Sequence, residues 1–255
     1  MTPDISEFSY GFALTQELIA MAGEPLRAAP IFPSLIEEGK AGGGYDVQLD
    51  LPGFPLFLQF KRSDCMVRNN AMETAPPYSF VPPFYRMRIT ERSRSAQHDM
   101  LVDLDDGQNQ VFYAAPLFHT VQELNAAYLA REVAQRSFYI RPSEIGKLDN
   151  DRHHIAFDST RRWLFSEPRE ISGVQGAALL HLLQERRVGD ARPLRGGPLD
   201  ESLARVERIT RDRDLPTDIP DLGSPHKDDN QRKLQRLADF ALRYFGAQLF
   251  IVQDA

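Results

Sequence analysis

Residues 42–63 read GGGYDVQLDLPGFPLFLQFKRS. Three glycines open the stretch and two apolar runs flank Pro52-Gly53, which is the layout of a β-hairpin. A hairpin centred on that pair without a bulge sets Leu51 opposite Phe54 and Asp46 opposite Gln59, and opposed residues share a face of the sheet. Side chains alternate along a strand, so Asp46, Gln59 and Lys61 are expected on one face at the open end, with Gln48 and Asp50. Val47, Leu49, Leu51, Leu56, Leu58 and Phe60 point the other way. One face is apolar, and the other gathers a carboxylate, an amide oxygen and an ammonium.

Those groups suit metal-assisted phosphodiester hydrolysis. The oxygens of Asp46 and Gln59 are hard ligands for Mg²⁺ or Mn²⁺, and Lys61 can orient or activate a water and stabilise charge on phosphorus. Gln59 contributes no negative charge, so the metal is expected to bind less tightly than with a second carboxylate. The other acid comes from upstream. Residues 4–22 carry apolar side chains at Phe8, Phe12, Leu18, Ile19 and Met21 and stop at Gly23 and Pro25, the pattern of a helix. Within it Glu17 has Ala13, Leu14, Ala20 and Met21 at spacings of three and four, which places its carboxylate on or beside the packed face. An acid there needs a cation or a metal.

Downstream, residues 69–83 contain Pro76, Pro77, Pro82 and Pro83 and read as a loop. The expected order is then strand FYRMRIT, a helix from about Ser93 to Asp106, strand QVFYAAP, the helix HTVQELNAAYLAREVAQ, strand SFYIRP and a second hairpin over 153–165. The helices SGVQGAALLHLLQERR and DESLARVERITRDR follow, then the helix NQRKLQRLADFALRYFG and the strand AQLFIVQ. The fold class expected is α/β, a mixed sheet flanked by helices over residues 1–170 with a mainly helical region over 171–255. That region is expected to pack back on the core or to form a partner interface.

Composition bounds what such a chain does. A net charge of −6 and a pI near 5.6 argue against non-specific coating of nucleic acid, because that binding scales with the phosphates neutralised. The single cysteine, Cys65, makes neither an internal disulfide nor a cysteine-based zinc site. No apolar run spans a bilayer, and MTPDISEFSYGF lacks the layout of a secretory signal, so the cytoplasm is the expected compartment, away from membranes. Basic residues concentrate locally: seven lie between Lys61 and Arg94 against three acids.

The glutamate-bearing helix followed by GGYDVQLDLPGFPLFLQFKRS resembles the restriction-endonuclease-like PD-(D/E)xK nuclease superfamily, in the variant whose second motif is QxK, as in Mrr-type restriction enzymes. The resemblance covers residues 8–115. It implies a divalent-metal nuclease in which Glu17 is the first-helix acid, Asp46 the acid of the first motif, Gln59 its partner ligand and Lys61 the lysine. Tyr45 stands where the family often has proline, and Gln59 where most members have Asp or Glu. The same resemblance implies a setting in bacterial restriction and anti-phage defence, on DNA or RNA, with companion defence proteins or further copies of the chain.

Other readings of the same residues stay open. Asp46, Gln59 and Lys61 also fit the solvated face of an ordinary hairpin, and Glu17 also fits a salt-bridge partner. Arg62, Arg86, Arg88, Arg94, Gln97 and His98 form either a phosphate-binding edge beside the site or a charged edge that prevents strand addition. A catalytically weak nuclease fold that binds a partner or nucleic acid is the alternative function. An unrelated α/β binding module is a third.

Overall fold

The apolar run after Pro52-Gly53 forms the interior of a sheet. In a computed structural model, which describes residues 1–21, 53–107, 109–176, 178–179, 181–182, 185, 192–194, 196–218 and 229–253, β1 (Gly53–Phe60) lies between two partners. It pairs antiparallel with β10 (Gln248–Gln253) and parallel with β4 (Gln110–Pro116). Over Leu56–Leu58 both edges are taken, with Leu56 opposite Phe250 on one side and Gln110 on the other. The hairpin register expected across Pro52-Gly53 is therefore not the pairing that β1 makes. The expected first arm, 45–51, and Asp46 with it lie outside the described residues. The physical reason is visible in the run Phe54–Leu58, apolar at every position, which suits a strand buried on both faces.

This first sheet has the order β10-β1-β4-β5-β9, with β5 (Ser137–Ile140) and β9 (Val174–Gln175) added antiparallel. Its strands are covered on both sides. Phe54, Leu56, Leu58, Phe112, Ala114 and Tyr139 pack with Tyr10, Ala13 and Leu14 of α1 (Glu7–Met21) and with Ala127 of α3 (Val121–Ala130). Phe57, Val111, Tyr113 and Ala115 face the other way. They meet Met100, Leu101 and Leu104 of α2 (Gln97–Leu104), Val206 and Ile209 of α5 (Pro198–Arg211), and Leu237, Phe240 and Phe245 of α6 (Asp229–Phe245). A short helix, α4 (Pro142–Ile145), follows β5.

A second sheet has the order β2-β3-β6-β7-β8, all antiparallel: β2 (Asp64–Met66), β3 (Phe84–Ile89), β6 (His153–Phe157), β7 (Arg162–Leu164) and β8 (Arg169–Glu170). The hairpin expected over 153–165 is β6 and β7. Met87, Ile89, Ile155 and Phe157 join the same apolar cluster as α2 and α6. On the outer face Phe84 and Ala156 pack under Phe80, and the segment that delivers Phe80 also carries a 3-10 turn at Met72–Thr74.

The described part of the chain is thus a mixed α/β structure with two sheets and six α-helices among the described residues. No helix among them is long and apolar enough to cross a membrane. The segment expected as one helix over 172–187 begins instead with β9, because Val174 and Gln175 pair with Tyr139 and Phe138.

Candidate functional site

Gln59 is buried near the end of β1, on the side of the sheet that carries Phe57 and Tyr113. Its amide nitrogen donates to the carbonyl oxygen of Phe245 at 3.3 Å and to Oε1 of Gln97. A peptide carbonyl can only accept, so the nitrogen must face Phe245 and the amide orientation follows from it. Oε1 is thereby turned away, and no described residue donates to it. The closeness of these groups requires a glycine next to Phe245. Gly246 has φ +58, and a Cβ there would come within 2.2 Å of Gln97 Nε2 and 3.0 Å of Gln59 Nε2; only glycine meets both conditions without strain.

Lys61 follows two residues on. Its backbone nitrogen donates to Ala114 at 2.8 Å, which extends the β1–β4 pairing past the strand end. Its Nζ stands 5.8 Å from the centre of the Tyr113 ring. Burial lowers the ammonium's pKa below the ordinary lysine value, and the carboxylate of Glu7 opposes that shift in part. A lysine held this way spends more of its time as the neutral amine, the form able to take a proton from water.

Behind Lys61, His98 and Tyr113 are buried and satisfied. His98 Nε2 lies 2.8 Å from the carbonyl oxygen of Gly146, so Nε2 carries the proton, and the Tyr113 hydroxyl donates to Nδ1 at 2.8 Å. Burial keeps His98 below the ordinary histidine pKa despite that hydrogen bond. His98 is only 6% exposed, so the structure makes it a strut behind the site and leaves it no surface for a nucleic acid. Gln97, half-buried at the start of α2, touches Gln59 directly. Here the expectation of a contact beside the site is replaced by contact with the site itself.

Glu17 is elsewhere. Its Oε2 accepts from the amide of Val133 at 2.7 Å and its Oε1 from that of Ala134 at 3.0 Å. Both partners belong to the cluster packed on the α1 and α3 side of the sheet. Gln59 and Lys61 are on the opposite side, so the structure brings Gln59 and Lys61 together, does not bring Glu17 to them, and does not describe Asp46. Among the described residues, two backbone N–H groups satisfy Glu17 and no basic side chain meets it.

The arginines divide. Arg62 is exposed at the end of β1. Arg86 places its guanidinium on both oxygens of Glu73, which is fully buried and also accepts from His154 Nε2 at 3.0 Å. Burial alone would raise the Glu73 carboxyl, but the hydrogen bonds from His154 and Arg86 outweigh it and bring its pKa down to about 2. Arg88 reaches Asp64 at 3.1 Å and Arg94 reaches Glu91 at 2.6 Å, both at the surface. Arg86, Arg88, Arg94 and Arg152 line a cleft of ≈ 480 Å³ with His153 and His154.

Sequence patterns missed Glu73, Tyr113 and Gly246. Glu73 sits in a proline-rich loop with no periodicity, and its histidine partner is 81 residues away. Gly246 reads as an ordinary helix stop, and nothing local shows the two amide side chains pressed against it. Cys65 is buried, and burial pushes its thiol up, away from the reactive thiolate.

Among the described residues no group of three or more His, Cys, Asp or Glu is placed to hold a metal ion. No protein-family model, no curated protein and no solved structure matches the chain.

Proposed function

We propose that this chain is a metal-dependent nuclease of the PD-(D/E)xK kind, hydrolysing phosphodiester bonds of DNA as an effector in bacterial anti-phage defence, with its reacting centre at the end of β1. One observation carries the reading. Phe245 and Gln97 pin the nitrogen of Gln59, which turns its carbonyl oxygen away from them, and Lys61 on the same face has a lowered pKa. An oxygen ligand beside a lysine that gives up its proton more easily than an ordinary one is the pair that water activation at phosphorus needs.

Gln59 fits Mg²⁺ or Mn²⁺ as one neutral oxygen ligand, and the reading requires Asp46, outside the described residues, as the acid beside it. Glu17 does not enter this ligand set, because its oxygens are committed to Val133 and Ala134 on the other side of the sheet. A bound metal supplies Lewis acidity at the phosphate. The chain's own residues do the rest: Gln97 and Phe245 hold Gln59 in place, the Tyr113 ring faces the Lys61 ammonium, and Lys61 takes or directs the proton of water.

The commitment of Glu17 favours a second reading, a nuclease-fold subunit that binds nucleic acid or a partner protein with little hydrolysis. Plasmid cleavage in Mg²⁺ or Mn²⁺ by wild type and by Lys61→Ala separates the two. Hydrolysis at this site predicts a loss of about 10²-fold or more in the variant. Equal cleavage by both proteins removes Lys61 from catalysis. Calorimetry with Mn²⁺ on wild type and Asp46→Ala tests the ligand set, and binding of equal strength would remove Asp46 from it.

A further inference from the structure

We propose that the cleft at the ends of β3 and β6 is a binding site for a phosphate group, with Arg88, Arg94 and Arg152 as its contacts and Arg86, His154 and Glu73 as its built floor. It stands apart from the hydrolysis read at β1 and does not depend on it.

The floor is placed by the sheet register. Arg88 lies directly opposite His154, and Arg86 opposite Ala156, so Arg86, Arg88 and His154 project from one face of the second sheet. Glu73, brought over that face by the segment that packs Phe80, has no exposed surface, and its two oxygens take the Arg86 fork and His154 Nε2. His154 also stacks on Phe165 at 4.8 Å. The imidazole is thus clamped in one orientation at the cleft wall. A buried carboxylate that fixes a guanidinium and an imidazole is a preorganised element, and holding groups in place beforehand lowers the ordering cost of binding.

Charge favours an anion. Four arginines line the cleft, against Glu91 in its wall, Glu73 beneath Arg86 and Asp64 beside Arg88. The three outer arginines are held loosely: the side chains of Arg88, Arg94 and Arg152 are 82%, 70% and 89% exposed. Arg94 and Arg152 share Glu91, at 2.6 and 3.4 Å. Exposed ion pairs of this kind hold their partners only weakly, so an anion with several acceptor oxygens exchanges for them readily. Planar guanidinium groups match phosphate oxygens two at a time.

His154 belongs to the floor and not to the contacts. The ionised Glu73 can only accept, so His154 Nε2 donates to it and that N–H is committed.

The test is fluorescence anisotropy with a labelled single-stranded oligonucleotide, with and without a 5′-phosphate, in chelator and at low salt. Hydrolysis is absent there, so the outcome is separate from that of the cleavage assay. Wild type is expected to bind, and Arg88→Ala/Arg152→Ala, two exposed positions, to bind about tenfold or more weakly with a shallower salt slope. Preference for the 5′-phosphorylated strand with displacement by inorganic phosphate identifies a terminal or free phosphate as the ligand. Equal binding of both strands without such displacement identifies backbone phosphate. Absence of wild-type binding to either strand, or unchanged affinity in the double variant, overturns the proposal.

Discussion

Two buried glutamates carry opposite lessons about what a carboxylate inside a protein does. Glu17 spends its charge on two amide hydrogens just beyond α3, one per oxygen. Glu17→Gln keeps one acceptor and sets an NH₂ against the other N–H, so a loss of about 1–3 kcal/mol in denaturant unfolding is expected. Folded Glu17→Gln should cleave at the wild-type rate if cleavage is seen; loss of metal binding in this variant would restore the acid to the site. Glu73 holds Arg86 and His154, and Glu73→Gln should cost roughly 2–3 kcal/mol, since it weakens charge-assisted bonds at a fully buried position. The wild-type contribution has a defined pH range. Its folded carboxyl lies below the ordinary value of 4.5, at about 2. That stability is present above the ordinary carboxylate range and is lost as pH falls toward about 2. A stability–pH curve of Glu73→Gln should therefore converge on wild type in acid. For Lys61 the shift runs downward, so a cleavage rate governed by its neutral amine should gain its rising limb below the pH of an ordinary lysine.

Helix and strand ends show where local preference yields to tertiary demand. The run HTVQELNAAYLAREVAQ has helical character throughout, and its start is encoded locally. Thr120 accepts from the Glu123 amide, and Glu123 accepts from the Thr120 amide, a capping box. Thr120→Ala should lower stability by about 1 kcal/mol in a thermal or denaturant melt. Its stop is not encoded there. The helix ends at Ala130 with Arg131 at φ 57, because Glu17 takes the amides of Val133 and Ala134, which continued helix would bond within itself. At the other functional end, α6 terminates in Gly246 against Gln59 and Gln97. Gly246→Ala places a methyl 2.2 Å from Gln97 Nε2 on a left-handed backbone. It should lower stability by about 1–2 kcal/mol and perturb cleavage at the same time; intact activity with intact stability would show that the contact is not needed.

On the scale of the molecule, the C-terminal strand completes the sheet that holds the site. β10 covers one edge of β1 from Gly53 to Leu58, and α6 supplies Leu234, Leu237, Phe240 and Phe245 to the core under that sheet. A chain ended after Gly246 exposes the edge of β1 along its apolar run Phe54–Leu58, and size-exclusion chromatography should find it aggregated. Most element types follow from the amino-acid sequence alone, including α1, α5, α6, β3, β4, β5, β10 and the hairpin of β6 and β7, because periodicity and stop residues are local properties. So is the side shared by Gln59 and Lys61, which strand alternation sets whatever the partner strand. Only tertiary structure decided which strands flank β1, that Glu17 lies across the sheet from Lys61, and that Glu73 gathers Arg86 and His154. Those outcomes depend on contacts between residues far apart in the chain, where the burial of apolar faces and the pairing of buried polar groups select among arrangements that local pattern leaves equal.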